Sequence, residues 1–358
     1  MHLLVDISAH GFGHLAQTAP VLDALASLLP TLSLTVRSAL PRQQLARRIG
    51  AGFEHVAEAR DFGFAMHNAV DIDLAASKQR YCEFHADWPQ RVAAEAAWLR
   101  RHRVDALLSN VAYLPLAAAA EARIPAAGLC SLNWADLFTS YFGSEPWAGK
   151  IHAQMLDAYN AGLAFLRVTP GLPMPGLLHR HDIAPIATLG RRDRAHVARL
   201  LGLEQNQRWV LLAMGGMEFR LPVEEWAQTP GLNWLVPGEW KIRRDDVRSF
   251  DQADLAFSDL LASVDAVVTK PGYGTFVEAA CSGIPILYLQ RDDWPETCHF
   301  AAWLGAHARA GMLARERLLP GDFIGALERL WQAPAPTVPL AGGADEAARR
   351  LVTVLGLA

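Results

Sequence analysis

The chain has 358 residues, of which 51% are hydrophobic and 20% charged, a composition typical of a globular protein with about two domains. The formal net charge of -4 provides no basic surface for nucleic acid, so we expect no nucleic-acid partner. The four cysteines lack CxxC spacing and no apolar run is long enough to span a membrane. We therefore expect a cytoplasmic protein without a disulfide scaffold or transmembrane segment, and leave peripheral contact with a membrane open.

Short, almost wholly apolar segments alternate with helical patterns in the first half of the chain. In chain order, strands are predicted at 3–7, 32–37, 106–109 and 126–130, and helices at 16–28, 42–49, 92–101 and 114–122. Apolar strands of this length are typical of a parallel sheet that helices cover on both faces. The first half therefore predicts a doubly wound α/β domain.

A second series of alternating strands and helices follows in the second half of the chain. Its strands are predicted at 209–214, 266–270 and 286–289, and its helices at 255–263, 275–282 and 299–304. Prolines and glycines at 169–176 precede a stretch typical of an interdomain connection, and a Pro/Gly-rich spacer precedes a last helix at 345–355. We therefore predict an N-terminal α/β domain at 1–176, a linker at 177–190, a second α/β domain at 191–335, and a spacer with the C-terminal helix at 336–358.

The segment His10-Gly-Phe-Gly-His14 stands directly after the first predicted strand, where the first helix should begin. Ligands of open α/β sheets bind outside the carboxyl ends of the strands, so this position favours a functional loop. The two glycines permit a tight turn and close approach to a ligand, and the start of a helix offers free backbone N–H groups to an anion. The pattern is not GxGxxG, however, and a histidine that only caps the helix is the competing interpretation.

Three segments resemble nucleotide-sugar glycosyltransferases of the GT-B fold. They are GHLAQTAPVLDALA at 13–26, the strand, helix and Ile-Pro segment at 105–125, and VVTKPGYGTFVEAACSGIP at 267–285. The third is the most specific, because it resembles the donor-binding signature of that fold. The chain is most similar to MurG-like N-acetylglucosaminyltransferases, and its first part also resembles the glycosyltransferase-like region of plant L-arabinokinases. The resemblance spans nearly the whole chain and implies an α/β fold with two doubly wound, Rossmann-like domains that face each other across a cleft.

For the second domain, the resemblance implies a site for a nucleotide-sugar donor. Backbone amides of the glycine loops can hold a diphosphate at the start of a helix, and the matching Glu278 accepts hydrogen bonds from the ribose hydroxyls. A glutamate that merely complements the helix dipole is the alternative for Glu278. The implied donor-binding residues are Gly13, Gly215, Gly216, Lys270, Gly272, Gly274, Thr275 and Glu278, with Asp292, Asp293 and Glu296 left open as the residue that holds the sugar hydroxyls.

For the first domain, the resemblance implies the acceptor site and the catalytic base. His14 is predicted to accept the proton of the acceptor hydroxyl, because the ordinary histidine pKa of about 6.5 lies near working pH, and His10 is the fallback. Asn110 stands where related transferases often carry an Asp that pairs with the base, and Asp136 is the candidate to supply the missing charge. The predicted acceptor-binding residues are Asn133, Trp134 and Asp136.

The segment Asp71-Ile-Asp73 matches the DxD spacing of metal-dependent transferases, but it lies in the first domain, outside the predicted donor site. We therefore expect no catalytic metal and no cofactor. The predicted function is transfer of a sugar from a nucleoside diphosphate, with UDP preferred, to an acceptor hydroxyl, with inversion at the sugar. A nucleotide-sugar hydrolase or epimerase of the same fold is one alternative, and a non-catalytic nucleotide-sugar-binding protein is the other.

Overall fold

The computed structural model describes residues 1–68, 71–215, 219–251 and 255–357. Within them the strands form two sheets, one of seven strands and one of six, in which neighbouring strands run parallel. The chain divides into two units that correspond to the two sheets. Unit 1 comprises Met1–His67, Asp71–Ile186 and Gly342–Ala358, and unit 2 comprises Asn68–Val70 and Ala187–Ala341.

Unit 1 alternates strands with helices, as expected for a doubly wound domain. Its strands are β1 (His2–Ile7), β2 (Ser33–Arg37), β3 (Glu54–Val56), β4 (Ala106–Asn110), β5 (Ala126–Cys130), β6 (Ala164–Val168) and β7 (Arg180–Ile183). Its helices before residue 187 are α1 (Gly13–Leu28), α2 (Arg42–Ala46), α3 (Leu74–Ala86), α4 (Trp88–Arg101), α5 (Leu114–Ala122), α6 (Trp134–Phe142) and α7 (Ala148–Asn160). The sheet order is β3-β2-β1-β4-β5-β6-β7, and the central strands β4 and β5 are buried along their whole length.

Unit 2 repeats the arrangement with a smaller sheet. Its strands are β8 (Arg208–Ala213), β9 (Leu232–Val236), β10 (Val247–Ser249), β11 (Ala266–Thr269), β12 (Ile286–Leu289) and β13 (Ala310–Leu313). Its helices are α8 (Arg194–Leu201), α9 (Phe257–Ser263), α10 (Tyr273–Cys281), α11 (Glu296–His307), α12 (Arg315–Leu318) and α13 (Ile324–Gln332). The sheet order is β10-β9-β8-β11-β12-β13, and Trp226, Trp234 and Phe323 pack edge to face in the core on one side of it.

Each sheet has one point at which the strand order reverses. In unit 1 the chain adds β2 and β3 on one side of β1 and then places β4 on the other side, and in unit 2 it does the same around β8 and β11. The crevice outside the carboxyl ends of two such strands is where open α/β sheets bind ligands. These two places are the ends of β1 and β4, at Ile7 and Asn110, and the ends of β8 and β11, at Ala213 and Thr269.

The C-terminal helix α14 (Gly343–Leu355) returns to unit 1, where it packs against α1 and β5. Its first residue must be small, because a Cβ on Gly343 would lie 2.0 Å from the carbonyl oxygen of Ala184. The predicted linker 177–190 contains β7, which pairs with β6, and the chain passes between the units after Ile186. The four cysteines are free thiols. Among the described residues, no helix is both long and apolar enough to cross a membrane.

Candidate active site

The loop after β1 leads into α1, and His14 is the second residue of this helix. Gly11 has a positive φ of 91°, a conformation that favours glycine and lets the chain turn from the strand into the helix. The His14 side chain is buried, with 5% of its surface exposed, and its Nδ1 lies 3.6 Å from the Sγ of Cys130 at the end of β5. The indole of Trp134 packs against the same ring, with the centroids 5.8 Å apart.

Burial lowers the pKa of His14 to about 4, and the side chain of Asn110 acts in the opposite direction and raises it. The imidazole is therefore neutral at working pH, which leaves a nitrogen able to accept a proton but makes it a weaker base than an exposed histidine. Asn110 itself is buried, and neither of its amide atoms makes a hydrogen bond of ordinary geometry within the described part of the chain. The sequence alone predicts an ordinary histidine pKa for His14, and burial is the reason that the structure differs.

His10 lies beside the same tryptophan, with its ring edge-on to Trp134 at a centroid distance of 5.3 Å. The backbone N–H of His10 donates to the hydroxyl of Ser8, 3.3 Å away. His10 is partly exposed, whereas His14 is buried. The two predicted histidines therefore share one aromatic neighbour but differ in access to solvent.

A carboxyl group that the sequence did not reveal lies next to this cluster. Asp61 follows β3 in chain order, and its Oδ2 accepts a hydrogen bond of 2.7 Å from the indole N–H of Trp134. Burial raises the pKa of Asp61 to about 6, although hydrogen bonds from Trp134 and Ser8 act to lower it. The nearby charge of Asp6 adds to the increase. A partly protonated carboxyl group at neutral pH is typical of functional sites.

A network of buried charges anchors the segment that carries Asp61. Arg37 donates to both carboxylate oxygens of Asp6, at 2.6 and 2.8 Å, and pairs with Glu95 at 2.5 Å. Glu95 in turn accepts a 2.7 Å hydrogen bond from Arg60, the residue before Asp61. Trp98 covers the Arg37 guanidinium at 4.4 Å. The backbone at Asp61 is therefore tied to β1, β2 and α4.

The three predicted acceptor-binding residues lie at the start of α6, where each has partners within the protein. The side chain of Asn133 accepts a 2.8 Å hydrogen bond from the backbone N–H of Asp136, and so caps the helix. Trp134 has no exposed surface. Burial raises the pKa of Asp136, and the groups that act against this increase are Asn133, His152 and the backbone of Met174. Their roles toward an acceptor stay predictions.

In unit 2, Lys270 follows β11 at the point where the strand order reverses. Burial and the nearby guanidinium of Arg291 lower the pKa of Lys270 to about 8. Gly215, at the end of β8, has a positive φ of 84° and approaches so closely that a Cβ on it would lie 2.8 Å from the Cε of Lys270. Arg291 is 5% exposed and lies over the ring of Trp294 at 4.5 Å. The partly buried Lys270 and the buried Arg291 thus lie near each other beside a glycine.

The predicted glycine loop leads directly into α10. Gly272 is the N-cap residue of this helix and Gly274 and Thr275 lie in its first turn, where no described side chain caps the backbone N–H groups. The amides of the first turn and the helix dipole favour an anion at this end. Glu278 is 2% exposed and lies in the second turn of α10. The predicted helix at 275–282 would have placed it in the first turn. Gly216, also predicted at the donor, lies outside the described residues.

The three acidic residues after β12 differ in their surroundings. Asp292 and Asp293 are exposed, and they accept hydrogen bonds from Gln290 at 2.6 Å and from Arg291 at 3.3 Å. Glu296, the first residue of α11, is 5% exposed and accepts a 3.3 Å hydrogen bond from the indole of Trp294. Any of the three stays a candidate to hold sugar hydroxyls.

One of the two aspartates of the DxD segment, Asp73, has a structural role. The side chain of Asp73 accepts a 2.9 Å hydrogen bond from the backbone N–H of Ala76 and caps α3. Within the described ranges, no three side chains of His, Cys, Asp or Glu form a group suited to a metal ion.

Two buried neutral histidines should make the protein sensitive to acid. His85, held by Gln154 and the hydroxyl of Tyr113 at 2.8 Å each, also has its pKa lowered to about 4, mainly by burial. Between about pH 6.5 and 4 the unfolded chain binds protons that the folded chain does not, so the free energy of unfolding should fall by up to about 3 kcal/mol for each histidine. Asp61, with a raised pKa, contributes in the opposite direction over about pH 6 to 4.

Urea unfolding at pH 7.5 and pH 5 measures this loss. The variant His85→Phe keeps an aromatic ring but cannot take up a proton, so its stability should fall less between the two pH values than that of the wild type. An equal fall in both proteins would contradict the assignment of a buried neutral His85.

No family model matches the chain. The chain is 24% identical to L-arabinokinase of Arabidopsis thaliana over 336 residues, which is 90% of this chain and 31% of that protein. It therefore spans about a third of the length of that relative.

Solved structures cover the whole chain. The calicheamicin glycosyltransferase CalG4 matches with a TM-score of 0.67 at 16% identity, over 99% of this chain and 98% of that chain. The spinosyn rhamnosyltransferase SpnG complexed with thymidine diphosphate matches with a TM-score of 0.57 at 17% identity, over 100% and 96% of the two chains. Arabidopsis thaliana UGT89C1 complexed with UDP matches with a TM-score of 0.56 at 13% identity, over 98% and 94%.

These neighbours are glycosyltransferases, and the likeness confirms the predicted fold class, with two parallel α/β domains of the GT-B type. The predicted resemblance to such enzymes and to plant L-arabinokinases is confirmed as well. At these identities the likeness establishes the fold.

Proposed function

We propose that the protein is a metal-independent glycosyltransferase that uses a nucleoside-diphosphate sugar. The observation that supports this function best is the pair of cations formed by the partly buried Lys270 and the buried Arg291, next to Gly215 and to the start of α10. A lysine whose pKa is lowered by burial and by a second cation is unfavourable in the empty protein, and an anion of two charges reverses that cost. A diphosphate supplies such an anion.

The donor would lie in unit 2 with its diphosphate at Lys270, Arg291 and the amides of the first turn of α10. Glu278 lies one turn further along the same helix and can accept hydrogen bonds from two neighbouring ribose hydroxyls. UDP is the first candidate nucleotide, since UGT89C1 is complexed with UDP, and thymidine diphosphate, found with SpnG, is the second.

The acceptor hydroxyl would be activated in unit 1. Its oxygen attacks the anomeric carbon of the donor, the bond to the diphosphate breaks with both electrons, and the hydroxyl proton passes to a ring nitrogen of His14. A single displacement of this kind inverts the configuration at the sugar. Because His14 is neutral above about pH 5, it is available to take the proton throughout the physiological range.

Donor binding is tested by thermal unfolding with UDP, thymidine diphosphate and their sugars. A ligand that binds only the folded state stabilises it by about 2.7 kcal/mol at a concentration one hundred times its Kd, which raises Tm by several degrees. No shift with any of these ligands would refute the function proposed.

The matched variant is Glu278→Gln, which keeps the size of the side chain and loses the anionic acceptor. Hydrogen bonds to charged groups contribute about 1.5–3 kcal/mol, so affinity for the nucleotide should fall by roughly tenfold to a hundredfold. Calorimetry measures this fall. The control is Glu328→Gln, at an exposed position on α13 in the same unit, which should bind as tightly as the wild type.

Release of the sugar from the donor, measured with and without a panel of hydroxyl acceptors, separates the alternatives. A transferase forms a glycosylated product only with an acceptor, whereas a hydrolase releases free sugar without one. An epimerase changes the sugar while it remains attached to the nucleotide, and a binding protein does neither.

A further inference from the structure

Asp61 is a partly buried residue in unit 1 to which the function proposed above assigns no role. Its Oδ2 accepts the indole N–H of Trp134 at 2.7 Å, and the Ser8 hydroxyl lies near enough to act on its pKa. It makes no ion pair with any residue that the structure describes. The arginines of the adjoining charge network are already engaged, since Arg37 pairs with Asp6 and Glu95, and Arg60 with Glu58 and Glu95.

The two neighbours of Asp61, Ser8 and Trp134, both contact the histidine loop. Ser8 accepts the backbone N–H of His10 at 3.3 Å, and the Trp134 indole contacts both the His10 and the His14 rings. Gly63, two residues after Asp61, has a positive φ of 59°, and a Cβ there would lie 2.8 Å from Trp134 and 3.0 Å from His10. The Asp61–Gly63 segment is therefore packed directly against the loop.

An asparagine at position 61 would accept the same indole hydrogen bond without bringing a charge into the interior. A carboxylate is worse for stability at neutral pH, because burial opposes its ionised form. Residues that lower stability in this way tend to be those that function requires.

We propose that Asp61 is a positioning residue of the candidate active site, which holds the Trp134 indole beside Ser8 and so sets the arrangement of the His10–His14 loop according to its own state of protonation. This inference rests on the proposed transferase function for its effect on catalysis. Its structural basis, the contact between an ionisable Asp61 and Trp134, is independent of that function.

The groups that face Asp61 come from several elements. Asp6 on β1 contributes the charge that adds to the increase in its pKa, and Ser8 follows the same strand. Tyr81 on α3 donates to the backbone oxygen of Gly63 at 2.8 Å, and burial, with a smaller contribution from the charge of Asp61, raises the pKa of this phenol well above its usual range. Burial likewise raises the pKa values of Tyr113 and Tyr159, and Asp61 adds to the increase. None of the three phenols ionises near neutral pH, which leaves Asp61 and the two histidines as the groups to follow.

The first test follows the indole N–H resonance of Trp134 by NMR, assigned with the variant Trp134→Phe. Because the hydrogen bond becomes charge-assisted when Asp61 ionises, the resonance should shift with a midpoint near pH 6 in the wild type. In Asp61→Asn the shift should be absent. An indole resonance that does not titrate in the wild type would overturn the proposal.

The second test compares Tm of Asp61→Asn and the wild type at pH 4.5 and 7.5. The folded pKa of Asp61 lies above its unfolded value, so the wild type loses stability relative to the variant as the pH rises through about 6. The advantage of Asp61→Asn in Tm should therefore grow by about 3 °C or more between the two pH values. The control Asp157→Asn, at an exposed position on α7, should show no such growth. A constant difference for Asp61→Asn would count against a buried ionisable group.

The third test uses sugar release from UDP-glucose or thymidine diphosphate glucose, whichever nucleotide gives a thermal shift. Asp61→Asn should lower kcat by tenfold or more and remove the change in kcat near pH 6, while the affinity for the nucleotide stays within twofold of the wild type. Full kcat in Asp61→Asn would overturn the positioning role. If neither nucleotide binds the wild type, the transferase function fails, whereas the indole titration still decides whether Asp61 ionises against Trp134.

Discussion

Replacing His14 by alanine should lower the turnover number by about 10²- to 10⁴-fold, the usual contribution of a positioned acid–base group. Affinity for the nucleotide should change little, because the proposed contacts of the nucleotide lie in unit 2. The measurement is a comparison of kcat, by product formation, with the Kd of the nucleoside diphosphate, by calorimetry. Turnover within a few fold of the wild type would remove His14 as the base, and lost nucleotide binding would make it a ligand of the donor instead.

Two further variants control for folding. His14 is buried, so alanine leaves a cavity, whereas His14→Gln keeps most of the volume and should lose a similar share of turnover. His179→Ala, at an exposed position in the same unit, should keep full activity. For the wild type, the low pKa of His14 predicts no loss of kcat through protonation of this residue until the pH falls below about 5.

Replacing Lys270 by methionine should weaken binding of the nucleoside diphosphate by roughly tenfold to a hundredfold, because a charge-assisted contact to the diphosphate is lost. The same change should stabilise the empty protein at pH 7 by about 1–2 kcal/mol, since the folded pKa of Lys270 is lowered and methionine removes a cation that is partly withdrawn from water. Weaker binding combined with a higher Tm is the expected signature. A lower Tm with unchanged affinity would show that Lys270 serves packing alone.

Proton uptake gives a second measurement of the same site. At pH 8 Lys270 is about half protonated in the empty protein, and a bound diphosphate should return its pKa toward the ordinary value. Calorimetric titration in buffers of different ionisation enthalpy should then show uptake of up to about half a proton per nucleotide. Lys241→Met, at an exposed position in unit 2, should leave the uptake unchanged, and Lys270→Met should abolish it.

Much of the fold could be predicted from the sequence, because buried parallel strands are short apolar runs separated by glycine, proline and polar residues. The helix at Leu114–Ala122 and the strands at Ala126–Cys130 and Ile286–Leu289 have the bounds that the sequence predicts. The prediction did not include the edge strands β3 and β13, most of whose residues are at least partly exposed, and it omitted the interior strands β6 and β9, which are short and contain polar residues. It also missed α6, although Asn133 followed by an acidic residue three positions later is a recognisable helix start.

The candidate site could be predicted only where residues lie at or shortly after the end of a strand. Asn110 ends β4, Lys270 follows β11, and His14 begins the helix after β1, so the parallel sheet brings each of them to a point where the strand order reverses. Asp61 lies in a stretch without periodicity, and nothing in its neighbours along the chain indicates that its carboxyl group is buried against a tryptophan 73 positions away. The lowered pKa of His14 has the same origin, because burial depends on residues distant in sequence.

The return of α14 means that unit 1 is discontinuous in sequence, while residues 187–341 form a single insertion within it. The two ends of this insertion meet, since the backbone N–H of Gly343 donates to the carbonyl oxygen of Pro185 at 3.0 Å. A gene in which a short linker replaces residues 187–341 would therefore encode all the strands of the larger sheet together with the helix that covers it. In evolutionary terms, exchange of residues 187–341 as a cassette leaves the strand order of the larger sheet unchanged, and with it the loop and helix that follow β1 and carry the histidines.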